Sequence, residues 1–209
     1  VAFTFFNAFF FQVDAVRNPD ELFAVERVDR PGSDDEVPFS RAEYEAIRRD
    51  TDTFSGVAAA RPSFPARVTS PDSGRAALGM FGSGNFFDVL GVGAARGRTL
   101  TEADEDNGGR AVVVLSHRGW EMLFESDPAV VGRQIVLNGR PYAVVGVMPD
   151  GFRGLRQSPP HYWAPLALVE QFRPAETRND GWVDVIGRLK AGTSPGAAAG
   201  AFGAWASAH

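Results

Sequence analysis

The chain of 209 residues contains no cysteine, which excludes disulfide bonds and thiolate metal sites. Histidine is also scarce, and the three copies, His117, His161 and His209, lie far apart in the sequence. None has a second histidine at the i,i+4 spacing of a helical metal site, so a metal centre would need carboxylates recruited through the fold. We therefore expect ordinary surface or hydrogen-bonded histidines and no bound metal.

Lysine is almost absent, since only Lys190 is a lysine among the 21 basic residues. The arginines are scattered singly, without a basic stripe interleaved with aromatic side chains, and the net charge is −5. A nucleic-acid-binding surface requires such a concentration of positive charge. The composition therefore predicts no nucleic-acid partner.

Motifs for catalysis are missing as well. No G-x-S-x-G occurs, and the side chains of the adjacent Ser116 and His117 diverge, so they cannot form a nucleophile–base pair. The acidic cluster of Glu102, Asp104, Glu105 and Asp106 begins with calcium-loop spacing, but Leu115 stands where an EF-hand requires glutamate. Nothing selects a carboxylate pair for glycoside chemistry. We expect no enzymatic activity and no cofactor.

The segment Gly82–Leu100 contains a Gly-x-Gly that could suggest a dinucleotide-binding loop. The third glycine of that fingerprint would fall at Phe87, and no clear acidic residue follows at the expected distance. The sequence NFFDVL instead predicts a short packed helix that ends at Gly91, a residue suited to the left-handed conformation.

A β-hairpin is predicted at Gln134–Pro149, because Asn138-Gly139 is a strong signal for a two-residue turn. This turn places Ile135 opposite Tyr142 and Leu137 opposite Arg140. Pro141 then lies opposite Val136 in a non-hydrogen-bonded pair, where its missing N–H removes no bond within the hairpin.

The chain begins with VAFTFFNAFFF, which contains six phenylalanines in eleven residues. The run is apolar on every helical face, and as a helix it would reach about 16 Å, roughly half a hydrocarbon core. We predict the outer end of a transmembrane helix, loosely packed on the rest of the chain. Its deletion should then leave the melting temperature nearly unchanged. The membrane-proximal residues would be Phe3, Phe5, Phe6, Phe9, Phe10 and Phe11.

Local patterns predict the other elements. Ser40 and Glu43 form a capping box that opens a helix ending near Asp50. Ser116 caps a second helix, and either Ser194 or Thr193 caps the last one. The pattern loosens over 62–74, and Asp127-Pro128 begins a short helix closed by Gly132. Strands or extended segments are predicted at Leu22–Val28, Phe54–Ala60, Arg75–Phe81, Ala111–Leu115, Tyr162–Leu168 and Val183–Leu189.

In their order and spacing, these motifs resemble the periplasmic core domain of MacB-like (FtsX-like) ABC transporter permeases. The resemblance covers nearly the whole chain. Besides Gly82–Leu100 and the hairpin, it rests on Asn18–Val25, Phe39–Tyr44, Phe54–Ala59, Val112–His117, Trp120, Asp127–Arg133, Met148–Phe152, Trp163–Leu166 and Val185–Thr193.

The resemblance implies an α+β fold with two lobes. Residues 1–12 would be the end of a transmembrane helix, and 13–62 with 169–209 a ferredoxin-like, porter-type βαβ lobe. Residues 63–168 would be an inserted β-rich lobe with short helices. The strands at Leu22, Phe54 and Val183 should then share one sheet. A ferredoxin-like lobe also needs a strand after its second helix, which the resemblance places beyond His209.

The implied function is a non-enzymatic extracytoplasmic domain of an inner-membrane permease subunit. It would couple cytoplasmic ATP hydrolysis to substrate export or to extracytoplasmic partners. The implied partners are a cytoplasmic ABC ATPase, a second permease subunit, the membrane through flanking helices, and a periplasmic adaptor or envelope protein. The chain has no Walker motif, which fits the permease and not the ATPase.

The alternative from another class is a soluble secreted ligand- or glycan-binding module. It would account for Trp120, Trp163, Trp182 and Trp205 as cleft-lining residues, although four tryptophans also suit an ordinary core. No secretory signal peptide is visible. A long apolar run downstream in the gene would favour the permease, and a nearby stop codon would favour the module.

Overall fold

The computed structural model describes residues 2–6, 16–28, 37–70, 73–155, 158–171 and 182–208. Its strands are β1 (Ala2–Phe6), β2 (Leu22–Val28), β3 (Phe54–Ser70), β4 (Ser73–Gly82), β5 (Arg96–Gly97), β6 (Val112–Leu115), β7 (Gln134–Leu137), β8 (Arg140–Val147), β9 (Tyr162–Pro165) and β10 (Asp184–Leu189). Its α-helices are α1 (Arg41–Asp50), α2 (Phe86–Leu90), α3 (His117–Phe124) and α4 (Pro195–Ala208). The chain is therefore α+β, as predicted.

The chain divides into two compact units. Unit 1 comprises Val1–Gln12, Asn18–Ala60 and Pro174–His209, and unit 2 comprises Val13–Arg17 and Arg61–Arg173.

Unit 1 contains a sheet in the order β1-β2-β10-β3, in which every neighbouring pair is antiparallel. Strand β10 lies between β2 and β3, with Val185 opposite Val25 on one side and Ala59 on the other. The prediction that the strands at Leu22, Phe54 and Val183 share a sheet is confirmed.

Helix α1 begins with the predicted capping box. The Oγ of Ser40 accepts a bond from the N–H of Glu43 at 3.2 Å, and the N–H of Ser40 donates to Glu43 Oε2 at 2.7 Å. These two bonds satisfy backbone donors that a helix start leaves without partners. Tyr44 and Ile47 form the buried face of the helix.

The core of unit 1 is aromatic where α4 meets the sheet. Phe202 of α4 is fully buried and packs edge-on against Phe54, with ring centroids 6.2 Å apart. Gly187 of β10 makes room for the Phe54 ring, because a Cβ at that position would overlap it. Ser194 accepts a bond from the N–H of Ala197 at 3.3 Å, which confirms one of the two predicted caps of α4.

Unit 2 contains six strands that follow one another in a closed ring, β3-β4-β9-β6-β8-β7 and back to β3. The β4–β9 and β6–β8 pairs are parallel, whereas β6–β9, β7–β8 and β3–β7 are antiparallel. Closing a sheet in this way pairs strands that would otherwise be edges.

The predicted hairpin forms with the predicted register. Ile135 lies opposite Tyr142, and Pro141 opposite Val136. Asn138 and Gly139 have φ angles of 48° and 81°, the left-handed values that this turn requires.

Helix α2 packs its two phenylalanines completely inside unit 2. Phe87 contacts Phe152 and Trp163 with ring centroids 6.0 and 5.4 Å away, and Phe152 lies 5.4 Å from Trp163. Gly91 ends the helix with φ 70°, as predicted. The segment that resembled a nucleotide loop is therefore a core-forming helix.

Two interpretations of local patterns are wrong. The Pro/Ser/Gly-rich stretch 62–74 does not loosen the fold, because β3 continues to Ser70 and β4 starts at Ser73. Proline has strand-compatible dihedral angles and loses only one donor. Residues 127–132 form turns instead of a helix. The predicted extended segment from Tyr162 holds to Pro165, after which a 3₁₀ helix begins.

The predicted transmembrane helix is also wrong over the residues described. Ala2–Phe6 forms β1, whose backbone pairs with β2 from Ala2 opposite Val28 to Phe6 opposite Ala24. Phenylalanine and threonine favour strands over helices, and an available sheet edge satisfies the backbone groups. Phe9, Phe10 and Phe11 lie outside the described residues.

Candidate functional site

A groove of about 770 Å³ lies between α1 and α4 in unit 1 and is here called the α1–α4 groove. Helix α1 contributes Ala42, Ala46 and Ile47, and α4 contributes Gly203, Trp205 and Ala206. Most of these side chains are small or apolar, so the groove can accept apolar surface at close range.

One ion pair supplies the charge in the groove. Arg27 of β2 pairs with Glu43 of α1, and its second guanidinium nitrogen donates to the carbonyl oxygen of Pro38 at 2.9 Å. The guanidinium carbon lies 5.0 Å from the centre of the Phe39 ring, within the range of a cation–π contact. The arginine is therefore held in place by three neighbours and carries a compensated charge.

Glu43 is held in its charged form. Burial alone would raise the pKa of this carboxyl, but hydrogen bonds from Ser40 and Arg27 outweigh burial, so the pKa lies below its usual value. A carboxylate that stays ionised has no proton to donate, so Glu43 cannot act as a general acid at neutral pH, and its lowered pKa makes it a weak base. The apolar lining and the paired charge suit the groove to binding and positioning.

The acidic cluster at 102–106 has a structural role at Asp104. This side chain is fully buried and accepts two bonds from Arg98, at 2.6 and 2.9 Å. It also accepts the backbone N–H and the hydroxyl of Thr101, at 2.9 and 3.0 Å. Asp104 thus caps the turn that follows Thr101, and its burial is explained without a bound calcium ion.

The histidines lie apart. His117 is 3.5 Å from Glu121 and stacks edge-on with Trp120, whereas His161 is half-buried at the start of β9. His209 lies outside the described residues. Within the described ranges, no group of three or more His, Cys, Asp or Glu side chains is placed to hold a metal ion.

The four tryptophans do not line a common cleft. Trp163 and Trp182 are buried, and Trp120 is largely buried with its indole N–H donating to the carbonyl oxygen of Asp127 at 2.8 Å. Only Trp205 lies at the α1–α4 groove. The tryptophans were the support for a glycan-binding module, and of the four only the half-buried ring of Trp205 lies at this groove.

The backbone of Phe3, Phe5 and Phe6 lies in β1, as described above. In the part of the chain that the structure describes, no helix has both the length and the apolar character to span a membrane.

Sequence reasoning identified the Ser40–Glu43 capping box but missed the groove beside it. The partner of Glu43 is Arg27, which is 16 residues away. Sequence reasoning also missed Arg188 of β10, a buried arginine that donates to Glu21 and to the carbonyl oxygen of Asn18. An arginine inside an otherwise apolar strand, as in Val-Ile-Gly-Arg-Leu, was the available signal.

Comparison with known proteins identifies one family. The sequence profile of the MacB-like periplasmic core domain matches residues 1–204. Over 80 residues the chain is 36% identical to the macrolide export ATP-binding/permease protein MacB of Aggregatibacter actinomycetemcomitans. That alignment covers 36% of this chain and only 12% of the length of that protein.

The fold is similar to solved extracytoplasmic domains. The periplasmic region of MacB from Actinobacillus actinomycetemcomitans matches with a TM-score of 0.71 and 16% identity, over 95% of this chain and 87% of that one. The extracellular domain of the noncanonic ABC-type transporter YknZ from Gram-positive bacteria matches with a TM-score of 0.60 and 18% identity, over 82% and 83%. At these identities the likeness is one of fold.

Proposed function

Because this chain belongs to the family of MacB-like periplasmic core domains of ABC transporter permeases, we propose that it couples cytoplasmic ATP hydrolysis to substrate export or to extracytoplasmic partners. The observation that carries this proposal is the family match over residues 1–204. In this role the domain is non-enzymatic and works by moving and by contacting other proteins.

We propose that unit 1 is a ferredoxin-like, porter-type lobe. Its elements follow the order β2-α1-β3 and then β10-α4, and β10 lies between β2 and β3. A ferredoxin-like fold repeats a βαβ unit and inserts its third strand between the first two, so this order supports the proposal. The proposed inserted, β-rich lobe is residues 63–168, and the six-stranded ring is its main feature.

We propose that Phe3, Phe5, Phe6, Phe9, Phe10 and Phe11 lie next to the inner membrane, with the domain on its extracytoplasmic side. The concentration of phenylalanine supports this placement, because a segment so rich in apolar side chains can pack against lipid or a neighbouring membrane helix. The proposal does not depend on a helix at 2–6, since an interfacial segment can take either form.

The proposed partners are a cytoplasmic ABC ATPase subunit or domain, a second permease subunit, and a periplasmic adaptor or envelope protein. The α1–α4 groove is the surface of unit 1 that we propose for transmitting motion. Its small residues allow close packing, and the Arg27–Glu43 pair fixes one wall.

The experiment uses the full-length permease with its ATPase, otherwise free of cysteine. Ala46→Cys and Ala206→Cys on opposite helices of the groove are joined by a short, rigid bifunctional maleimide. We expect export to fall while ATP hydrolysis continues, because the groove can no longer change shape.

The matched control joins Glu45→Cys to Arg49→Cys, which are both exposed on α1 and do not line the groove. This cross-link should leave export unchanged. Equal export from the groove-locked protein and the control would contradict a coupling role for this surface.

A further inference from the structure

His161 joins two strands of unit 2 through both its backbone and its side chain. Its backbone N–H donates to the carbonyl oxygen of Leu78 at 2.7 Å, and the N–H of Leu78 donates back to the imidazole Nδ1 at 2.9 Å. The carbonyl oxygen of His161 accepts the N–H of Ser116 at 3.0 Å. One residue therefore ties the start of β9 to β4 and to the cap of α3.

The bond to Nδ1 exists in only one charge state of the imidazole. A ring nitrogen accepts a hydrogen bond only when it carries no proton, and the imidazolium carries a proton on both nitrogens. The neutral ring in this position must hold its proton on Nε2. Protonation of Nδ1 would place its N–H opposite the N–H of Leu78, and because both groups are donors the bond to Leu78 would break.

The backbone around the ring has little freedom to follow such a change. A Cβ on Gly119 would overlap the carbonyl group of His161, which shows how closely α3 lies against this residue. The next residue, Tyr162, is paired in register with Gly79 of β4. The imidazole itself must therefore turn away, leaving the amide of Leu78 without its acceptor.

The charged neighbours favour the neutral ring. Burial lowers the pKa of His161, and the positive charge of Arg118 on α3 lowers it further. From β9, Tyr162 stays neutral because burial raises the pKa of its phenol. On β4, the nearest charged residue in sequence is Arg75, which is engaged by Glu125 and by the carbonyl oxygen of Met122. Strand β6 carries no titratable side chain.

We propose that His161 is a proton-sensitive latch, in which the neutral imidazole binds the amide of Leu78 on β4 and protonation of the ring releases that amide. The latch is a property of unit 2 alone, and it stands whether or not the domain couples ATP hydrolysis to export. Its effect is local, because the backbone bond from His161 to Leu78 and the bond from Ser116 do not depend on the ring.

The experiment follows the 209-residue chain by NMR between pH 8 and pH 5. It measures the ring titration of His161 and the hydrogen-exchange protection factor of the Leu78 amide. We expect this protection to fall roughly fivefold as the ring becomes protonated, the factor that corresponds to one ordinary hydrogen bond. His161→Asn offers an amide oxygen near the position of Nδ1 but cannot titrate, so its Leu78 protection should not change with pH.

The matched control is His117→Asn, because His117 is a second histidine whose nearest charged partner is Glu121 on the same helix. This variant should keep the loss of Leu78 protection at low pH. The latch is overturned if His161 titrates while Leu78 stays equally protected, or if the same pH dependence persists in His161→Asn.

Discussion

The phenol ring of Tyr162 occupies the space that a side chain on Gly79 would need. The two residues are partners in the parallel β4–β9 pair, and a Cβ at position 79 would overlap the ring carbons and the hydroxyl oxygen. Tyr162 is only 2% exposed, so its ring has no solvent to move into. Packing an aromatic ring over a glycine on the next strand is a known way to make such a strand stable.

Gly79→Ala should therefore destabilise the chain by about 1–3 kcal/mol, the usual range for an overpacked core. Urea unfolding followed by circular dichroism would measure the loss. The matched control is Gly93→Ala, because a Cβ at Gly93 meets nothing within 4 Å. If both variants unfold at the same urea concentration, the ring does not confine position 79.

Asp104→Asn should cost about 2–3 kcal/mol, since it weakens charge-assisted bonds to a fully buried side chain. Asparagine can accept at one oxygen only, so it cannot receive both nitrogens of Arg98 together with Thr101. Asp106→Asn is the control, because Asp106 is exposed, and it should stay within about 0.5 kcal/mol of the parent chain. A cost for Asp104→Asn as small as that of the control would contradict this role.

The same carboxyl makes stability depend on pH. Burial acts to raise the pKa of Asp104, but bonds from Arg98 and Thr101 outweigh it, and the pKa lies below its ordinary value of 3.8. A lowered pKa stabilises the folded state above the ordinary value, and this stabilisation is lost as the pH falls through the folded-state pKa. The stability difference between the parent chain and Asp104→Asn should therefore be constant near pH 7 and shrink below about pH 4. A constant difference down to pH 2 would mean that Asp104 titrates normally.

Asn138→Ala should destabilise the β7–β8 hairpin by about 2 kcal/mol. Alanine resists the left-handed φ of 48° found there, and it cannot accept the bond that the N–H of Arg67 donates to Asn138 Oδ1 at 2.8 Å. Asn138→Gly keeps the conformation and loses only that bond, so it should cost about half as much. Equal losses in thermal unfolding would mean that backbone conformation contributes nothing to the effect.

Features encoded within a few residues could be predicted from the sequence. The Ser40–Glu43 capping box and the register of the hairpin around Asn138-Gly139 depend on side chains acting on their own backbone. The order and spacing of such motifs also indicated the family. The glycine–aromatic pair at Gly79 and Tyr162 depends on the pairing of distant strands, so no local pattern could show it.

The α1–α4 groove illustrates the same limit. Arg27 reads as one surface arginine among many until β2 and α1 are placed side by side. The prediction for the start of the chain was wrong for a different reason. A run rich in phenylalanine is apolar in both a helix and a strand, so its composition could not decide between them. The strand forms because the edge of β2 is available for pairing.

Deletion of residues 1–11 tests this part of the chain. The structure pairs β1 with β2 over five residues, so deletion should expose the edge of β2 and lower the melting temperature. A loss of about 2 kcal/mol corresponds to roughly 4–8 °C for a chain of this size. This outcome differs from the nearly unchanged melting temperature expected of a loosely packed membrane helix.

Deletion of residue 1 alone is the control for a changed N-terminus, and it should leave the melting temperature unchanged. A melting temperature unaffected by the longer deletion, together with improved solubility, would show that the segment contributes nothing to the sheet and would favour its placement against the membrane.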